Sequence, residues 1–312
     1  MPVAHINNTD IYYETYGDGF PLIYSHGGFG GLGTGARFEP PSWVPEFAEH
    51  FKVILYDRRS AGRSAFPRVP HTMELFASDA RELLRHLGHN KAHKWGTSGG
   101  GPITMEFGFQ YPDVAQSLVI HETSPKFWDE EDENDRRELA RLWERIQVME
   151  REGEEAAYEA RRAGGTVGLQ TFRDSRPVIT SDDVESRTTR RASITAQLNS
   201  VPREERISKY AGELRNYAAF AAWSGRERIR ELKMPVLIPY SHDDTMLPNA
   251  RWDQLTVGMP NVTYIPVLGV DHGGTMGVPG IKDQILEFLL KNTPESSQPG
   301  RPEGQPASRR SS

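Results

Sequence analysis

The chain has 312 residues, of which 37% are hydrophobic and 26% are charged, so it is long enough for one large domain that carries a smaller one. A formal net charge of −6 and the lack of a polybasic block argue against a surface for nucleic acid or anionic membranes. The absence of cysteine excludes disulfides, a thiolate nucleophile and cysteine-rich zinc sites.

Membrane insertion and secretion are also disfavoured by the sequence. No apolar run approaches the roughly 20 residues that a helix needs to cross a bilayer, and the first ten residues lack the charged and apolar regions of a signal peptide. We therefore expect a cytoplasmic protein, monomeric or homodimeric, with no nucleic-acid or membrane partner.

The first 122 residues alternate short apolar runs with helical patterns, which is typical of a mostly parallel sheet with crossover helices. Strands are predicted at Val3–Ile6 and at 11–16, 22–25, 53–56, 92–95 and 118–121. Apolar residues recur at helical spacing over 73–87, and Gly88 ends that crossover helix.

From Thr123 to Lys233 the strand patterns stop and the chain becomes charge-rich and helical, which predicts a separate inserted unit. Two apolar stripes mark its helices. One consists of Leu139, Leu142, Trp143, Ile146 and Met149, and the other of Ile207, Tyr210, Leu214, Tyr217 and Ala221. Because apolar stripes must be covered, we expect both to pack against other elements.

The alternating pattern resumes after Pro235, with strands at 236–240 and Val262–Val267 and helices from about Pro248 and over 281–290. The predicted core domain therefore comprises residues 1–122 and 234–293, with the insertion at 123–233. Residues 294–312 are rich in Pro, Gly, Ser, Gln and Arg without apolar periodicity, which predicts a disordered tail.

The run Gly96-Thr97-Ser98-Gly99-Gly100 lies between a predicted strand and a helical pattern over 103–109. A serine on a sharp strand-to-helix turn needs small neighbours, because its conformation is strained and the adjacent chain is close. The helix behind it also directs N–H groups and a positive dipole end toward a developing oxyanion. This context argues against a chance match in a chain with 29 glycines, and we predict Ser98 to be a nucleophile.

A second glycine-rich run, Ser25-His26-Gly27-Gly28-Phe29-Gly30, comes after the third predicted strand. Its glycines allow the backbone to approach the nucleophile, so the N–H groups of Gly28 and Gly99 are predicted to form an oxyanion hole. Together with Gly33, this run also matches the GxGxxG pattern of dinucleotide sites. The next segment of the chain ends in two prolines instead of opening a helix, so no nucleotide is expected.

Two turns beyond the insertion carry the other residues of a catalytic triad. Ser241-His242-Asp243-Asp244 comes after the strand at 236–240, and His272 lies on a glycine-flanked turn before the last helix. The chain order serine, acid, histidine is the order found in enzymes that carry their nucleophilic serine on a strand-to-helix turn of this type. We predict His272 as general base and Asp244 as the acid that orients it.

Metal chemistry has little support in the sequence. His86, His89 and His93 are spaced like ligands on one helix face, but Gly88 ends the helix between them and no HExxH occurs. Neither a metal nor any other cofactor is expected.

Five motifs together resemble the α/β-hydrolase superfamily: HGGFG from His26, DRRSAGRS from Asp57, GTSGG from Gly96, SHDDTMLP from Ser241 and GVDHGG from Gly269. The resemblance covers nearly all of residues 1–122 and 234–291. It implies an α/β-hydrolase fold with a mostly parallel eight-stranded sheet and helices on both faces. The helical insertion 123–233 would then be a cap over the active site.

Two acids compete for the place beside the histidine. Asp244 matches the superfamily's position after the seventh strand, although the family pattern has Gly where this chain has Ser241. Glu122 ends the sixth predicted strand and, with residues 124–126, is similar to zearalenone lactonases, in which the acid comes from that point. We favour Asp244 because its spacing to Pro248 is complete. Glu122 would then support the site indirectly or anchor the cap.

Aromatic side chains are candidates for an apolar substrate pocket, although such residues more often belong to a core: Phe29, Trp128, Trp143 and Trp223. The predicted reaction is cleavage of a small ester or lactone, in which Ser98 forms an acyl-enzyme that water releases.

Several other activities use the same residues. The HGGFGG and DRRSAGRS strings are similar to those of proline iminopeptidases, but GTSGG lacks that family's tryptophan beside the serine. Carbon–carbon bond hydrolysis and perhydrolysis remain alternatives. A ligand receptor that keeps the triad with little turnover is the alternative outside enzymes.

Overall fold

The computed structural model describes residues 2–30, 40–164, 201–247 and 250–295, and within these residues eight strands form one sheet. The strands are β1 (Val3–Ile6), β2 (Thr9–Tyr16), β3 (Phe20–Ser25), β4 (Phe51–Tyr56), β5 (Ala92–Thr97), β6 (Ala115–His121), β7 (Val236–Ser241) and β8 (Val262–Val267). Their order across the sheet is β1-β2-β4-β3-β5-β6-β7-β8. The β1–β2 and β2–β4 pairs are antiparallel, and all other pairs are parallel.

Helices cover both faces of the sheet. They are α1 (Val44–Phe47), α2 (Met73–His86), α3 (Gly100–Gln110), α4 (Glu133–Glu152), α5 (Glu154–Gly164), α6 (Arg203–Ala221), α7 (Trp252–Leu255) and α8 (Ile281–Lys291), with short 3-10 turns at Arg226–Glu231 and Thr275–Gly277. In the central strand β3, Ile23 packs on the side of α2 and α3, whereas Leu22 packs on the side of α1 and α8. Because side chains of a strand alternate between faces and both faces are covered, all six residues of β3 are buried.

The parallel strands bring the loops at their carboxyl ends to one edge of the sheet. This is the reason that residues far apart in sequence meet there. The residues that lie on or beside those loops are Gly28 after β3, Ser98 after β5, Glu122 after β6, Asp244 after β7 and His272 after β8. The mostly parallel sheet with helices on both faces is therefore confirmed.

Two details of the predicted elements are wrong. Trp143 was expected on the covered stripe of α4, but it is 38% exposed, whereas Leu142 and Ile146 are buried. Leu142 and Ile146 are four residues apart and share one helix face, which leaves Trp143 turned toward solvent. The helix expected from Pro248 begins only at Trp252.

Some expectations fall on residues outside the described ones. These are Pro248 itself, Gly33 in the glycine-rich run, much of the insertion at 165–200 and the end of the chain from residue 296. Among the described residues, no helix combines the length and the apolar character that crossing a membrane requires.

The described part of the insertion packs onto the loops at the carboxyl edge of the sheet. Helix α6 contacts both α4 and α5. Its Asn216 side chain donates hydrogen bonds to the carbonyls of Phe29 (2.6 Å) and Ser60 (3.1 Å). At Gly212 of the same helix, a Cβ atom would come within 2.8 Å of Ser60, so the helix lies directly against this loop.

Three histidines are buried in the neutral form. Burial lowers the pKa of His71 and His121 to about 4 and that of His93 to about 3. His93, in β5, has both ring nitrogens in hydrogen bonds, with Ser117 Oγ at 2.8 Å and Thr293 Oγ1 at 3.0 Å. These rings resist protonation as long as the protein stays folded.

We expect the free energy of unfolding to fall as pH drops below about 6.5, because only the unfolded chain then protonates these rings. The pKa values of these histidines are lower in the folded than in the unfolded protein. Their contribution to the free energy of unfolding is therefore fully present above pH 6.5 and is lost as the pH falls toward 4. At pH 5 the loss is about 2 kcal/mol for each histidine. The free energy of unfolding should be measured in urea near pH 7 and near pH 5. Between these two pH values, His93→Gln should lose about 2 kcal/mol less of this free energy than the wild type. An identical pH dependence in the two proteins would contradict this assignment.

Candidate active site

Ser98 lies in the left-handed region of the backbone, with φ = 52°. For a residue with a side chain this conformation costs about 1–3 kcal/mol and requires surrounding structure to hold it. The backbone N–H of Ser98 donates to the carbonyl of His121 (2.9 Å), and its own carbonyl accepts from the backbone of Gly101 (2.8 Å) and the hydroxyl of Thr123 (2.7 Å). The turn between β5 and α3 is therefore fixed on both sides of the serine.

The glycines around Ser98 leave room for neighbouring backbone. A Cβ atom on Gly96 would lie 2.1 Å from the carbonyl oxygen of Gly100, and one on Gly100 would lie 2.0 Å from that of Ser25. A Cβ atom on Gly99 would lie 2.2 Å from the carbonyl oxygen of Gly28. None of these positions accepts a side chain, which explains the glycine pattern of the motif.

The side chains of Ser98, His272 and Asp244 form a continuous chain of hydrogen bonds. His272 Nε2 is 2.9 Å from Ser98 Oγ, and His272 Nδ1 is 2.7 Å from Asp244 Oδ2. Because a carboxylate only accepts, Nδ1 carries the proton, which leaves Nε2 free to accept the serine proton. This is the arrangement of a nucleophile, a base and an orienting acid.

Asp244 is held rigidly in this position. Its other oxygen, Oδ1, accepts from the backbone N–H groups of Met246 and Leu247, both at 2.8 Å. Its side chain is fully buried, whereas that of His272 is 9% exposed. The carboxylate therefore has one oxygen committed to its own loop and one committed to the histidine.

Glu122, the rival acid, is placed beside the histidine loop without a hydrogen bond to His272. It has a left-handed backbone with φ = 44°, and its Oε1 accepts from the backbone N–H of Thr275 at 2.9 Å. The neighbouring His121 lies 2.5 Å from Thr275 Oγ1 and 3.0 Å from Thr97 Oγ1. Glu122 and His121 thus connect the nucleophile turn to the 3-10 turn that comes after His272.

Further residues link the acid loop to the histidine loop, and the sequence alone did not identify them. Asp271 Oδ1 accepts from the backbone N–H groups of Thr245 (2.9 Å) and His272 (2.7 Å). Asp243 Oδ2 accepts from the backbone N–H of Gly269 (2.7 Å). The only sequence signal for Asp243 and Asp271 is that each directly precedes a predicted triad residue, Asp244 or His272. These hydrogen bonds join the loop that carries Asp244 to the loop that carries His272.

The two predicted oxyanion residues are in contact. Gly28 has φ = 72°, a conformation that favours glycine, and its carbonyl lies against Gly99. The preceding Gly27 is so close to Ser98 that its Cβ would lie 3.2 Å from the serine Cβ. Gly99 is the N-cap residue of the 11-residue helix α3, whose positive end adds to any stabilisation of an anion there.

Of the four predicted pocket aromatics, the structure brings two together. Phe29 stacks on Tyr217 (ring centroids 4.5 Å apart) and lies 5.9 Å from Trp128, with Phe220 at 4.7 Å. Within the described residues, no ring contact joins Trp143 or Trp223 to this group. Trp223 is buried and donates from Nε1 to Glu106 of α3 (2.9 Å), so it ties the insertion to the core domain.

A cavity of about 730 Å³ lies beside α4, α5 and α6 and the loop 68–71. None of the three triad residues lines it, and five glutamates do: Glu150, Glu152, Glu154, Glu155 and Glu204. It is therefore distinct from the place where serine chemistry would occur.

Comparisons with known proteins agree with this architecture. The profile of the alpha/beta hydrolase fold matches residues 21–276. The putative carbamate hydrolase RutD of Azorhizobium caulinodans is 27% identical over 287 residues, or 92% of this chain and 97% of that protein. A soluble epoxide hydrolase of a Corynebacterium species is 33% identical over 128 residues, or 39% of this chain and 41% of that protein.

Among solved structures, the enol-lactonase of Burkholderia xenovorans matches with a TM-score of 0.64 at 21% identity. The match covers 93% of this chain and 100% of that one, and it supports the fold. With a profile match over most of its length, this chain belongs to the α/β-hydrolase fold family and is a hydrolase of that family.

Proposed function

We propose that the protein is a serine hydrolase that cleaves a small carboxylic ester or lactone through an acyl-enzyme on Ser98. The observation that carries this proposal is the hydrogen-bonded chain from Asp244 through His272 to Ser98, beside a glycine-rich loop. Each residue has the contact that its role in nucleophilic catalysis requires.

In the proposed reaction, His272 Nε2 takes the proton of Ser98 as Oγ attacks the carbonyl carbon of the substrate. The N–H groups of Gly28 and Gly99 would stabilise the oxyanion of the tetrahedral intermediate. The intermediate collapses to the acyl-enzyme, and His272 returns the proton to the departing alkoxide. Water then attacks the acyl group with His272 again acting as base, which regenerates Ser98 and releases the acid. With a lactone, the alkoxide stays tethered to the acyl group.

The insertion 123–233 is proposed to act as a cap. Support comes from α6, whose Asn216 bonds to the carbonyl of Phe29 beside the oxyanion loop. Phe29 and Trp128 are proposed to line the apolar wall of the substrate site, since they lie together where the insertion meets this loop. The other two predicted pocket residues, Trp143 and Trp223, have weaker support, because one is solvent-exposed and the other is bonded into the core domain.

The activities in the names of the relatives differ in whether a serine nucleophile could carry them out. Attack of serine on an epoxide would give an ether, which has no carbonyl for water to attack, so epoxide hydrolysis does not fit Ser98. A carbamate does fit, because a carbamoyl-serine can be hydrolysed in the same two steps. The likeness to a putative carbamate hydrolase along 92% of this chain makes carbamates the second candidate substrate class.

The nucleophile can be tested with a single substitution. Ser98→Ala should lower kcat by about 10⁴-fold with little loss of folding, because the triad acts as a unit and Ala keeps the turn small. The assay is turnover of a p-nitrophenyl ester, with thermal melting as the control for folding. Residual activity above about a tenth of wild type would remove Ser98 from the mechanism.

A panel of esters, lactones, carbamates and aminoacyl amides tests the substrate class. Esters or lactones are expected to give the highest kcat/KM. A clear preference for aminoacyl amides would favour the iminopeptidase-like alternative. Labelling of Ser98 without turnover of any substrate would favour a receptor.

The acid can be identified by comparing two substitutions that remove charge and preserve shape. Asp244→Asn should cost about 10³–10⁴ in kcat, because the imidazole loses both its tautomer control and the charge that stabilises imidazolium. Glu122→Gln should cost no more than about tenfold, since Glu122 contacts Thr275 instead of the ring. Melting curves are needed for both, because both carboxylates are buried. The opposite ranking in folded proteins would assign the role to Glu122.

A further inference from the structure

Arg58 is a fully buried arginine that the triad mechanism does not use. It is the second residue of the DRRSAGRS motif, directly after β4, and it is 1% exposed. Its neighbour Arg59 is equally buried but forms an ion pair with Asp79, through two contacts of 2.6 Å. Among the described residues, no carboxylate lies within ion-pair distance of Arg58.

The adjacent carboxylate of Asp57 forms its hydrogen bonds with a different arginine and acts on Arg58 only through its charge. Its Oδ2 accepts from both the backbone N–H (2.9 Å) and Nε (2.8 Å) of Arg63. Burial lowers the pKa of Arg58 to about 10, which leaves the guanidinium charged at neutral pH. A buried charge without a counter-ion is costly, so the contacts of this side chain are informative.

Arg58 binds the backbone of the oxyanion loop. Its Nη1 donates to the carbonyl of His26 (3.1 Å), and its Nη2 donates to the carbonyl of Gly28. The carbonyl of Gly27, between them, accepts from the ring Nδ1 of His26 (2.7 Å), which must be the donor because a carbonyl only accepts. Three consecutive carbonyls of this loop are therefore held by side-chain donors.

These contacts fix the direction of the predicted oxyanion donor. In a trans peptide the C=O and N–H groups point in opposite directions, so the Gly27 carbonyl, which His26 holds, sets the direction of the Gly28 N–H. Arg58 fixes the peptides immediately before and after this one through the carbonyls of His26 and Gly28. Gly28 has a positive φ, in a region where glycine is free to move. Without side-chain contacts the loop would lose the preorganisation on which oxyanion stabilisation depends.

We propose that Arg58 is a positioning residue of the oxyanion hole, which holds the loop 26–28 through two carbonyls and places a positive charge behind it. The inference rests on the proposed serine mechanism. Arg58 has no direct ion pair among the described residues, and the nearby charge of Asp57 is shared with Arg63, so part of the positive potential reaches the place where the substrate oxygen becomes negative. Arg59, which is neutralised by Asp79, cannot contribute in this way.

The test compares Arg58→Met with a matched control, the double variant Arg59→Met/Asp79→Asn, which removes the neighbouring buried ion pair. The probe is an alkyl trifluoromethyl ketone, which forms a tetrahedral oxyanion adduct with serine. Arg58→Met should lower kcat by about 10- to 100-fold, less than the loss of a direct oxyanion donor. Ketone affinity should fall by a similar factor, with KM within about threefold of wild type.

Two further readouts separate positioning from general damage. The pH midpoint of kcat/KM should not fall, because Arg58 does not contact His272 or Asp244 and the loss of its positive charge can only favour the imidazolium form. The control variant should melt at a lower temperature while its ratio of ketone affinity to KM stays within about threefold of wild type. Equal losses of ketone affinity and substrate binding in Arg58→Met would overturn the proposal.

Arg58→Lys covers the case in which Arg58→Met does not fold. Lysine keeps the charge but not the planar fork that reaches two carbonyls, so an intermediate loss of about 5- to 20-fold is expected in kcat and ketone affinity. If either variant folds and has the kcat and ketone affinity of the wild type, the proposed role of Arg58 is wrong. If the wild type forms no ketone adduct on Ser98, the proposed function fails and the inference fails with it. If the wild type forms the adduct and the variants form it equally well, the inference alone fails.

Discussion

The close approach of three backbone segments around Ser98 is the constraint on which the site depends. The turn after β5, the loop after β3 and the start of α3 come so near that Gly96, Gly99 and Gly100 have no space for a Cβ atom. This packing holds Ser98 in a left-handed conformation that it would otherwise avoid. The same contact brings Gly28 against Gly99, so one packing arrangement both presents the side chain of the proposed nucleophile and brings together the proposed oxyanion donors.

Buried polar side chains then fix each loop at the carboxyl edge of the sheet. Asp244 has both oxygens engaged, one with its own loop and one with His272. Glu122 holds the turn after His272, and Glu106 binds Arg228 and Trp223 of the insertion. Burying such groups is costly unless each finds partners. Each of these carboxylates has at least one partner on a different strand, loop or helix, so the same hydrogen bonds that compensate for burial also hold two segments together.

The sheet and the nucleophile turn were predictable from sequence because both leave local signals. Strands such as β3 and β7 are short, mostly apolar runs, and the turn at Ser98 needs glycine at fixed spacing. The sequence favoured Asp244 over Glu122 only through its spacing to Pro248, since both acids lie after strands that end at the same edge. Their hydrogen bonds, to His272 and to Thr275, distinguish them. Trp143 was misplaced because an apolar stripe does not show which of its residues a neighbouring helix covers. The contacts of Arg58 join segments about 30 residues apart, and no local pattern marks them.

The central claim is that Ser98 carries the covalent intermediate, and its most direct test is the mass of the intact protein after reaction with a fluorophosphonate. The account predicts one adduct per chain, located by peptide mapping on the peptide that contains Ser98. His272→Ala should form the adduct far more slowly, because the serine then lacks its base. A folded wild-type protein that hydrolyses esters without an adduct at Ser98, or with the adduct on another residue, would contradict the account.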